Sequence, residues 1–241
     1  MQKRTLEIDS NERLTRDCYR LVLKAPRLPD ICPGQFVHIE IPGKYLRRPI
    51  SVCDADENGI VLLYKTVGEG TQVLSRMNAG EGLDVLMPLG SGFSTAGGRV
   101  LLIGGGLGAA PLHFLCRRLR EAGAEVSAVL GFNTASDVVL TDAYRALGVE
   151  PLIVTLDGSA GLRGVVTDAP LPDADRFCTC GPLPMMRSVC ESMDLQGEVS
   201  MEERMGCGAG FCYGCTIQTG SGPARVCADG PVFRKEEEIS W

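Results

Sequence analysis

The sequence predicts a multi-domain chain with an antiparallel β-barrel, an α/β domain built on a parallel sheet, and a small cysteine-rich module at its C-terminal end. Three observations predict this arrangement. Short apolar runs separated by turn residues fill the first 96 residues, strand and helix patterns alternate over residues 97–196, and four of the eleven cysteines lie within residues 207–227. Successive short strands favour a barrel, whereas strands that alternate with helices favour a parallel sheet. We therefore divide the chain into residues 1–96, 97–196 and 197–241.

Composition excludes several classes of protein. The 241 residues are 44% hydrophobic, which is enough for a core, and they carry a net charge of −6 without a basic run. This charge pattern argues against nucleic acid as a partner. The first residues contain no apolar signal core, and the most apolar stretch, residues 100–115, is interrupted by four glycines. We therefore expect neither secretion nor a membrane span. Eleven cysteines without an export signal indicate a reducing compartment, most simply the cytoplasm.

The first segment shows strand patterns and no helix-length periodicity. The predicted strands cover residues 19–24, 35–41, 60–66 and 83–87. Turn signals such as Pro33-Gly34 and Asn58-Gly59 separate these runs, and regularly spaced short strands with such turns are typical of a small antiparallel barrel.

An arginine-rich motif opens a further strand of this segment, at residues 47–52. The Arg48 guanidinium could pair bidentately with a diphosphate, and the Ser51 hydroxyl could reach a ring carbonyl or nitrogen. After the next strand, Gly70 and Thr71 offer backbone N–H and hydroxyl donors for a second phosphate. An Arg-Pro pair alone is also a common feature of an edge strand, so the motif gains meaning from Gly70 and Thr71.

The middle segment begins with a strand that runs directly into a glycine turn and a helix. The turn contains Gly104, Gly105, Gly106 and Gly108, and Pro111 stands in the first turn of the helix. This layout points a helix N-terminus at a pyrophosphate, although the spacing differs from G-x-G-x-x-G. Further strands are predicted at 125–131, 151–156 and 176–180, and further helices at 141–147 and 185–193. No arginine follows Gly131, where a 2′-phosphate would need one, so NAD is favoured over NADP.

The C-terminal segment carries the most specific motif of the chain. Cys207, Cys212, Cys215 and Cys227 follow the spacing C-x4-C-x2-C-x11-C on a glycine-rich loop. This is the plant-type ligand arrangement of a [2Fe–2S] cluster. A structural zinc site is the alternative, but zinc sites usually bring their ligands as two C-x2-C pairs. A disulfide framework is disfavoured, because the number of cysteines is odd and nothing marks the chain as secreted.

The motifs of the first two segments resemble the ferredoxin reductase superfamily. The resemblance implies that FAD binds to the barrel and NAD to the parallel-sheet domain. The FAD residues that it implies are Arg48, Pro49, Ile50, Ser51, Leu63, Tyr64, Lys65, Gly70 and Thr71. It also implies that Cys180, in Cys-Gly-Pro-Leu-Pro-Met, lies beside the nicotinamide as a positioning residue. The alternative for Cys180 is a small buried residue at the end of a strand.

The order of the three segments, together with the cluster motif, resembles the electron transfer subunits of NAD-dependent dihydroorotate dehydrogenases over nearly the full length. The resemblance implies a chain with FAD and one [2Fe–2S] cluster that pairs with an FMN-containing catalytic subunit, two copies of each, in pyrimidine biosynthesis. Electrons would pass from FMN to cluster to FAD to NAD⁺; a flavin suits this line because it exchanges both hydride and single electrons.

The residues themselves show no site for an organic substrate. His38 and His113 are the two histidines of the chain, and neither stands near a catalytic base or nucleophile in the sequence, so we interpret both as packing residues. Two alternatives remain open. The chain could serve another NAD(P)-linked flavin and iron–sulfur oxidoreductase, or it could be a zinc-binding regulator without catalytic activity.

Overall fold

The computed structural model describes residues 1–237, Ile239 and Trp241. Six antiparallel strands form a closed barrel in the order β1-β2-β5-β4-β3-β6. These strands are β1 (Gln2–Arg13), β2 (Cys18–Lys24), β3 (Phe36–Ile39), β4 (Arg48–Ala55), β5 (Gly59–Lys65) and β6 (Gly82–Leu89). A six-residue helix, α1 (Glu69–Leu74), follows β5. The predicted barrel is confirmed.

Alternating burial explains the barrel. In β1, Leu6 and Ile8 are buried while most of their neighbours are exposed, because successive side chains of a strand point to opposite faces. The inward-facing residues of all six strands meet in one hydrophobic core, which Leu74 of α1 joins from outside the sheet. Strand β1 was not predicted, since only two apolar residues stand out among its twelve.

The second domain is built on a seven-stranded sheet in the order β10-β9-β8-β7-β11-β12-β15. Its strands are β7 (Arg99–Gly105), β8 (Glu125–Phe132), β9 (Leu152–Thr155), β10 (Leu162–Arg163), β11 (Arg176–Cys180), β12 (Gln196–Ser200) and, from the C-terminal end, β15 (Val232–Arg234). The helices are α2 (Ala109–Glu121), α3 (Thr141–Ala146) and α4 (Leu183–Ser192). All neighbouring pairs are parallel except β12 with β15. The predicted parallel sheet is confirmed.

The C-terminal segment is attached to this sheet. A hairpin of β13 (Thr216–Thr219) and β14 (Gly222–Arg225) stands apart, whereas β15 pairs with β12 at the sheet edge. Apolar residues from both parts, including Val199, Val226 and Phe233, share one buried core. The division of the chain at residue 197 stays a prediction, because strands on both sides of it belong to the same sheet.

Polar contacts fix the barrel against α2. Arg117 of α2 donates to the Asp54 carboxylate at 2.8 Å and to the Ala55 carbonyl at 2.7 Å, both in β4. His113, one turn earlier, lies 3.3 Å from the Cys53 carbonyl through Nδ1 and packs edge-on against Tyr144. These contacts set the distance between the barrel and the parallel sheet. In the described part of the chain, no helix combines the length and the apolar character that crossing a membrane requires.

Candidate functional site

A cleft of about 660 Å³ lies between the barrel and the parallel sheet. It brings together most of the residues that the sequence motifs single out. Its lining includes Arg48, Pro49, Ile50, Ser51, Leu63, Tyr64, Lys65 and Thr71 from the barrel side, and Gly105, Gly106 and Gly108 from the sheet side. Gly70, Gly104 and Cys180 lie next to the cleft without lining it. The two cofactor motifs, which are far apart in the sequence, therefore face the same space.

Arg48 is the charged group of the barrel wall. It begins β4, and its Nη1 donates to the Leu46 carbonyl, which orients the guanidinium. A Cβ on Gly70 would lie 2.6 Å from the Arg48 Nε, so only glycine lets α1 approach this guanidinium so closely. The Thr71 hydroxyl donates to the Gly68 carbonyl at 3.1 Å and accepts from the Val67 N–H at 3.1 Å. Thr71 therefore holds the turn that precedes α1, a role that the motif did not reveal.

The neighbouring Arg47 is used differently. Its Nη2 donates to the Asp84 and Glu40 carboxylates, each at 2.6 Å, and its Nη1 donates to the Asp84 carbonyl at 3.1 Å. Arg47 thus ties the loop before β4 to β6. Of the two adjacent arginines, only Arg48 lines the cleft.

The strand trio 63–65 is divided between the cleft and the barrel. The Tyr64 ring is buried and stacks on Tyr19, and its hydroxyl donates to the Asn11 Oδ1 at 2.9 Å. Burial raises the pKa of Tyr64, so the phenol stays protonated. Lys65 lies 3.7 Å from the Asp17 carboxylate. One edge of Tyr64 reaches the cleft, while its polar end braces β1.

The glycine turn forms the opposite wall. The chain leaves β7 at Gly105 and passes through a 3₁₀ turn, Gly106–Gly108, into α2. A Cβ on Gly108 would lie 2.0 Å from the Cys180 carbonyl oxygen, and one on Gly105 would lie 2.5 Å from the Met185 sulfur. The glycines thus let the turn pack directly on the β11–α4 connection. The N-terminus of α2, a thirteen-residue helix, opens toward the cleft, as the motif predicted.

Cys180 ends β11 beside this turn. Its side chain is 1% exposed, and burial raises the pKa of its thiol, which therefore stays protonated. The following residues, Gly181 and Pro182, line the cleft instead. This placement suits a residue that shapes the end of the strand, and a nicotinamide-positioning role for Cys180 stays a prediction.

Several residues of the lining were missed by sequence reasoning. Glu202 is the most distinctive: its side chain is exposed to the open cleft, yet the protein atoms that line the cleft around the carboxyl group raise its pKa by desolvation. Met201 and Met205 line the same region, directly before the cysteine loop. Asn133 and Asp137 follow β8 and line the sheet side. The signal in the sequence that could have indicated Glu202 is its position just ahead of the cysteine motif.

The cysteine loop is a nest of backbone donors around sulfur. The N–H groups of Ala209, Phe211 and Cys212 point at the Cys207 Sγ at 3.2–3.5 Å. The Gly210 N–H points at the Cys227 Sγ at 3.2 Å, and the Cys227 N–H points at the Cys215 Sγ at 3.4 Å. Converging N–H groups stabilise negative charge on sulfur. The loop is therefore built for thiolates.

The thiols are arranged in two pairs. Cys207 interacts with Cys212, and Cys215 interacts with Cys227. Burial alone would raise the pKa of Cys207, but the surrounding N–H groups outweigh burial and lower it to about 6; burial raises the pKa of Cys227 to about 12. Among the described residues, no three His, Cys, Asp or Glu side chains converge on one metal position. The four thiols, together with the N–H donors around them, fit the ligand set of a [2Fe–2S] cluster.

Burial distinguishes the two pairs. Cys215 and Cys227 are buried on the sheet side, whereas Cys212 is exposed and Cys207 is intermediate. Arg225 fastens the loop from below: its Nη1 donates to the Gly210 carbonyl at 3.0 Å, its Nη2 pairs with Asp229 at 2.9 Å, and its guanidinium lies over the Tyr213 ring. One side of the loop is thus anchored in the protein, and the other faces outward.

A closed antiparallel barrel, a parallel sheet with a glycine turn and a sulfur-binding loop define the class of ferredoxin reductase-type electron-transfer flavoproteins with an iron–sulfur domain. Solved structures agree. The chain superposes with a TM-score of 0.89 and 32% identity on a structure described as NADH-dependent reduced ferredoxin-NADP oxidoreductase, covering 98% of this chain and 90% of that one. The FAD/NAD-binding domain of a nitric oxide dioxygenase from Vibrio cholerae shares the fold, with a TM-score of 0.70 and 21% identity over 78% of this chain and 91% of that chain.

Sequence relatives define the family. Residues 202–238 match the iron–sulfur cluster binding domain of dihydroorotate dehydrogenase B. The NAD⁺-linked dihydroorotate dehydrogenase B electron transfer subunit of Lysinibacillus sphaericus is 38% identical, over 98% of each chain, and that of Bacillus velezensis is 39% identical, over 98% of this chain and 99% of that one. The chain belongs to the family of electron transfer subunits of dihydroorotate dehydrogenase B.

The family assignment confirms several predictions. The chain is an oxidoreductase subunit of an electron-transfer type, with the predicted fold class. FAD, a [2Fe–2S] cluster and NAD, the predicted cofactors, are confirmed at the level of the fold and the family. As an electron transfer subunit, it works with a separate catalytic subunit. The residues that hold each cofactor stay predictions.

Proposed function

We propose that this chain carries electrons from the FMN of a dihydroorotate-oxidising catalytic subunit to NAD⁺, in the order FMN, [2Fe–2S] cluster, FAD and NAD⁺. One observation carries the proposal. The arginine motif of the barrel, the glycine turn of the sheet and the residues just before the cysteine loop all line the same cleft. A one-electron centre and a hydride carrier must both lie close to the flavin that connects them, and this cleft provides that proximity.

We assign the binding residues as follows. Arg48, oriented by the Leu46 carbonyl, pairs with the FAD diphosphate, and Ser51 contacts the isoalloxazine. Leu63, Tyr64, Lys65, Gly70 and Thr71 complete the FAD site, with Gly70 and Thr71 shaping it. The turn from Gly104 through Gly108 and the N-terminus of α2 hold the pyrophosphate of NAD. The backbone groups of Gly181 and Pro182, positioned by Cys180, form the end of the cleft at the nicotinamide.

The sheet side of the cleft favours NAD over NADP. Asn133 and Asp137 line the space after β8, where doubly wound folds place the ribose. A carboxylate accepts hydrogen bonds from ribose hydroxyls and repels a 2′-phosphate. No arginine directly follows residues 131–133 in the sequence, which agrees with this preference.

Cys207, Cys212, Cys215 and Cys227 would hold the cluster through their thiolates. The exposed side of the loop, with Cys212, Phe211 and Tyr213, faces outward, and the catalytic subunit approaches the cluster from there. We propose an assembly of two catalytic and two electron transfer subunits. Because none of the eleven cysteines forms a disulfide, we place the assembly in the reducing cytoplasm.

The first test is an absorption spectrum of protein purified without oxygen, with iron, sulfide and flavin measured on the same sample. About two irons per flavin are expected. A colourless protein that contains zinc would contradict the proposal and favour the regulator hypothesis.

The second test addresses the partner. The chain is mixed with an FMN-containing dihydroorotate dehydrogenase catalytic subunit encoded beside it, and NADH formation from dihydroorotate and NAD⁺ is followed. NADH formation that requires both subunits supports the proposal. If the cofactors are present but dihydroorotate gives no NADH, the chain serves another flavin and iron–sulfur oxidoreductase.

A further inference from the structure

His38 is a fully buried polar side chain without a hydrogen bond. It lies in β3 and is 0% exposed, and neither of its ring nitrogens has a partner among the described residues. A buried polar group without a partner costs about 1–3 kcal/mol. The other positions of β3, occupied by Phe36, Val37 and Ile39, are apolar. The imidazole therefore needs an explanation other than packing.

The imidazole lies beside the peptide groups of Cys207 and Arg47. It carries an N–H donor in either protonation state.

The ring is pressed against the cysteine loop. A Cβ on Gly208 would lie 2.5 Å from the His38 Nδ1, so any residue other than glycine would collide with the ring. Gly208 also adopts a φ of +66°, which disfavours other residues. The loop therefore approaches the imidazole at the peptide that joins Cys207 to Gly208.

The same histidine also adjoins the flavin motif. Its Cα is paired with Pro49 in β4 on one side and with Leu86 in β6 on the other. Arg47 donates through Nη1 to the His38 carbonyl at 3.3 Å, and the Arg47 carboxylate partners hold that arginine in place. His38 thus stands between the strand that carries Arg48 and the loop that carries the first cluster ligand.

We infer that His38 is a positioning residue for the iron–sulfur cluster, and that its ring N–H donates a hydrogen bond to the cluster or its ligand atoms at Cys207. The inference rests on the cluster ligation that we propose above. Hydrogen bonds to the sulfurs of a cluster, and the partners that orient its ligands, tune its reduction potential. A donor stabilises the reduced cluster, which carries one more negative charge, and therefore raises the potential.

Reduction potential tests this role, because a variant that restores an N–H donor should restore the potential, whereas a variant that only fills the space should not. His38→Leu keeps the volume and removes both nitrogens, and His38→Gln restores an N–H donor. Full-length chain is purified anaerobically, and the cluster is titrated by EPR against solution potential. In His38→Leu we expect the ratio of reduced to oxidised cluster at a fixed potential to fall about tenfold, which is about 59 mV for a one-electron couple. His38→Gln is expected to recover most of this loss.

His113→Gln is the matched control, since His113 is the other buried histidine and lies against α3 and β4. Its cluster potential should equal that of the wild type. A cluster-loaded His38→Leu protein with the wild-type potential and EPR spectrum would overturn the inference and leave the proposed function intact.

A second measurement needs no substitution at His38. Wild-type protein labelled with ¹⁵N-histidine is examined by pulsed EPR of the reduced cluster, and the His113→Gln variant is examined in the same way. We expect a ¹⁵N coupling in both. A loaded cluster without this coupling overturns the inference even if His38→Leu fails to fold, whereas wild-type protein without any cluster overturns the proposed function and the inference together.

Discussion

The flavin barrel and the cysteine loop bind cofactors by opposite means. In the barrel, the proposed FAD residues sit on or beside strands whose inner faces form a closed core that includes Leu21, Val52 and Leu62, all 0% exposed. Residues 202–214 contain neither strand nor helix. Three of them, Gly208, Gly210 and Tyr213, have positive φ, and the Phe211 side chain is 78% exposed.

The two regions therefore differ in the source of their folding free energy. The barrel buries apolar area, which stabilises it by about 25 cal/mol per Å², so its cofactor residues are positioned before the cofactor arrives. The loop holds strained backbone and has little apolar area to bury; a metal site of this kind gains stability from ligation itself. Damage to one region should therefore leave the other functional.

Loss of a cluster ligand should have the largest effect on activity, and it should separate the two regions most clearly. Cys212→Ser removes an exposed ligand, so we expect the cluster to be lost and dihydroorotate-dependent NAD⁺ reduction by the two-subunit complex to fall to background. FAD content should stay at the wild-type level. Iron, flavin and NADH assays on the same sample check this, with Cys32→Ser, an exposed cysteine outside the motif, as the control. Full NAD⁺ reduction by Cys212→Ser would contradict the proposed role of the loop as the cluster site.

The next largest effect concerns the glycine turn, which forms the wall of the cleft opposite the barrel. In Gly108→Ala the new methyl would meet the Cys180 carbonyl at 2.0 Å, and overpacking against backbone should cost about 3 kcal/mol of the free energy of unfolding. Gly106→Ala meets open space and pays only for its φ of +53°, about 1 kcal/mol. Urea unfolding followed by circular dichroism compares the two variants. Equal losses would show that the turn is not packed as rigidly as its contacts indicate.

Arg48→Ala should have the opposite effect to Cys212→Ser, because it should weaken FAD binding and leave the cluster in place. A hydrogen bond to a charged group contributes about 1.5–3 kcal/mol, so the dissociation constant for FAD should rise by about tenfold to a hundredfold, while the cluster stays bound. Flavin titration and iron analysis measure the two quantities. Arg76→Ala, an exposed arginine of the same domain, should change neither, and loss of iron in Arg48→Ala would mean that the two regions fold together.

The smallest effect is a pH dependence where the two regions meet. Burial raises the folded-state pKa of Glu202 above its unfolded value, so its ionisation destabilises the folded protein at pH values above both and costs nothing below the unfolded pKa of about 4.3. Glu202→Gln should therefore be more stable at pH 7, and the difference should vanish toward pH 4. Because the carboxyl opens into the cleft, the gain should be about 0.5 kcal/mol.

Melting temperatures from pH 4 to pH 8 check this trend. Glu203→Gln, at the neighbouring position, which is exposed like Glu202, controls for the change in net charge. A stabilisation that is constant over the whole range would mean that the charge of Glu202 is not the cause.

Much of the fold could be predicted because its signals are local. The strands 19–24, 60–66 and 176–180 emerged within one or two residues of the observed β2, β5 and β11, since each is a short apolar run between turn residues. Two elements were missed for physical reasons. Strand β1 is mostly polar because only one of its faces meets the core, and α1 has six residues, too few for a periodic pattern to emerge.

The candidate site was predicted less completely. Most of the cleft lining from Arg48 to Gly108 follows from the motifs, but Glu202, Asn133 and Asp137 carry no motif and enter the cleft only through the packing of the sheet against the barrel. The family resemblance implied that Tyr64 is a flavin contact, and the structure adds that its hydroxyl donates a hydrogen bond to Asn11. Side-chain direction depends on neighbours that are remote in the chain.

The sequence by itself determined the cofactor chemistry: the spacing of Cys207, Cys212, Cys215 and Cys227, and the glycines before α2, because soft ligands and close backbone approach require those residue types. Only the tertiary structure decided which polar groups serve those sites. It turned Arg47 toward Asp84 and Arg48 toward the cleft, and it pressed His38 against Gly208. The reason is that these contacts join segments far apart in the chain, and their partners are fixed by how the barrel, sheet and loop pack together.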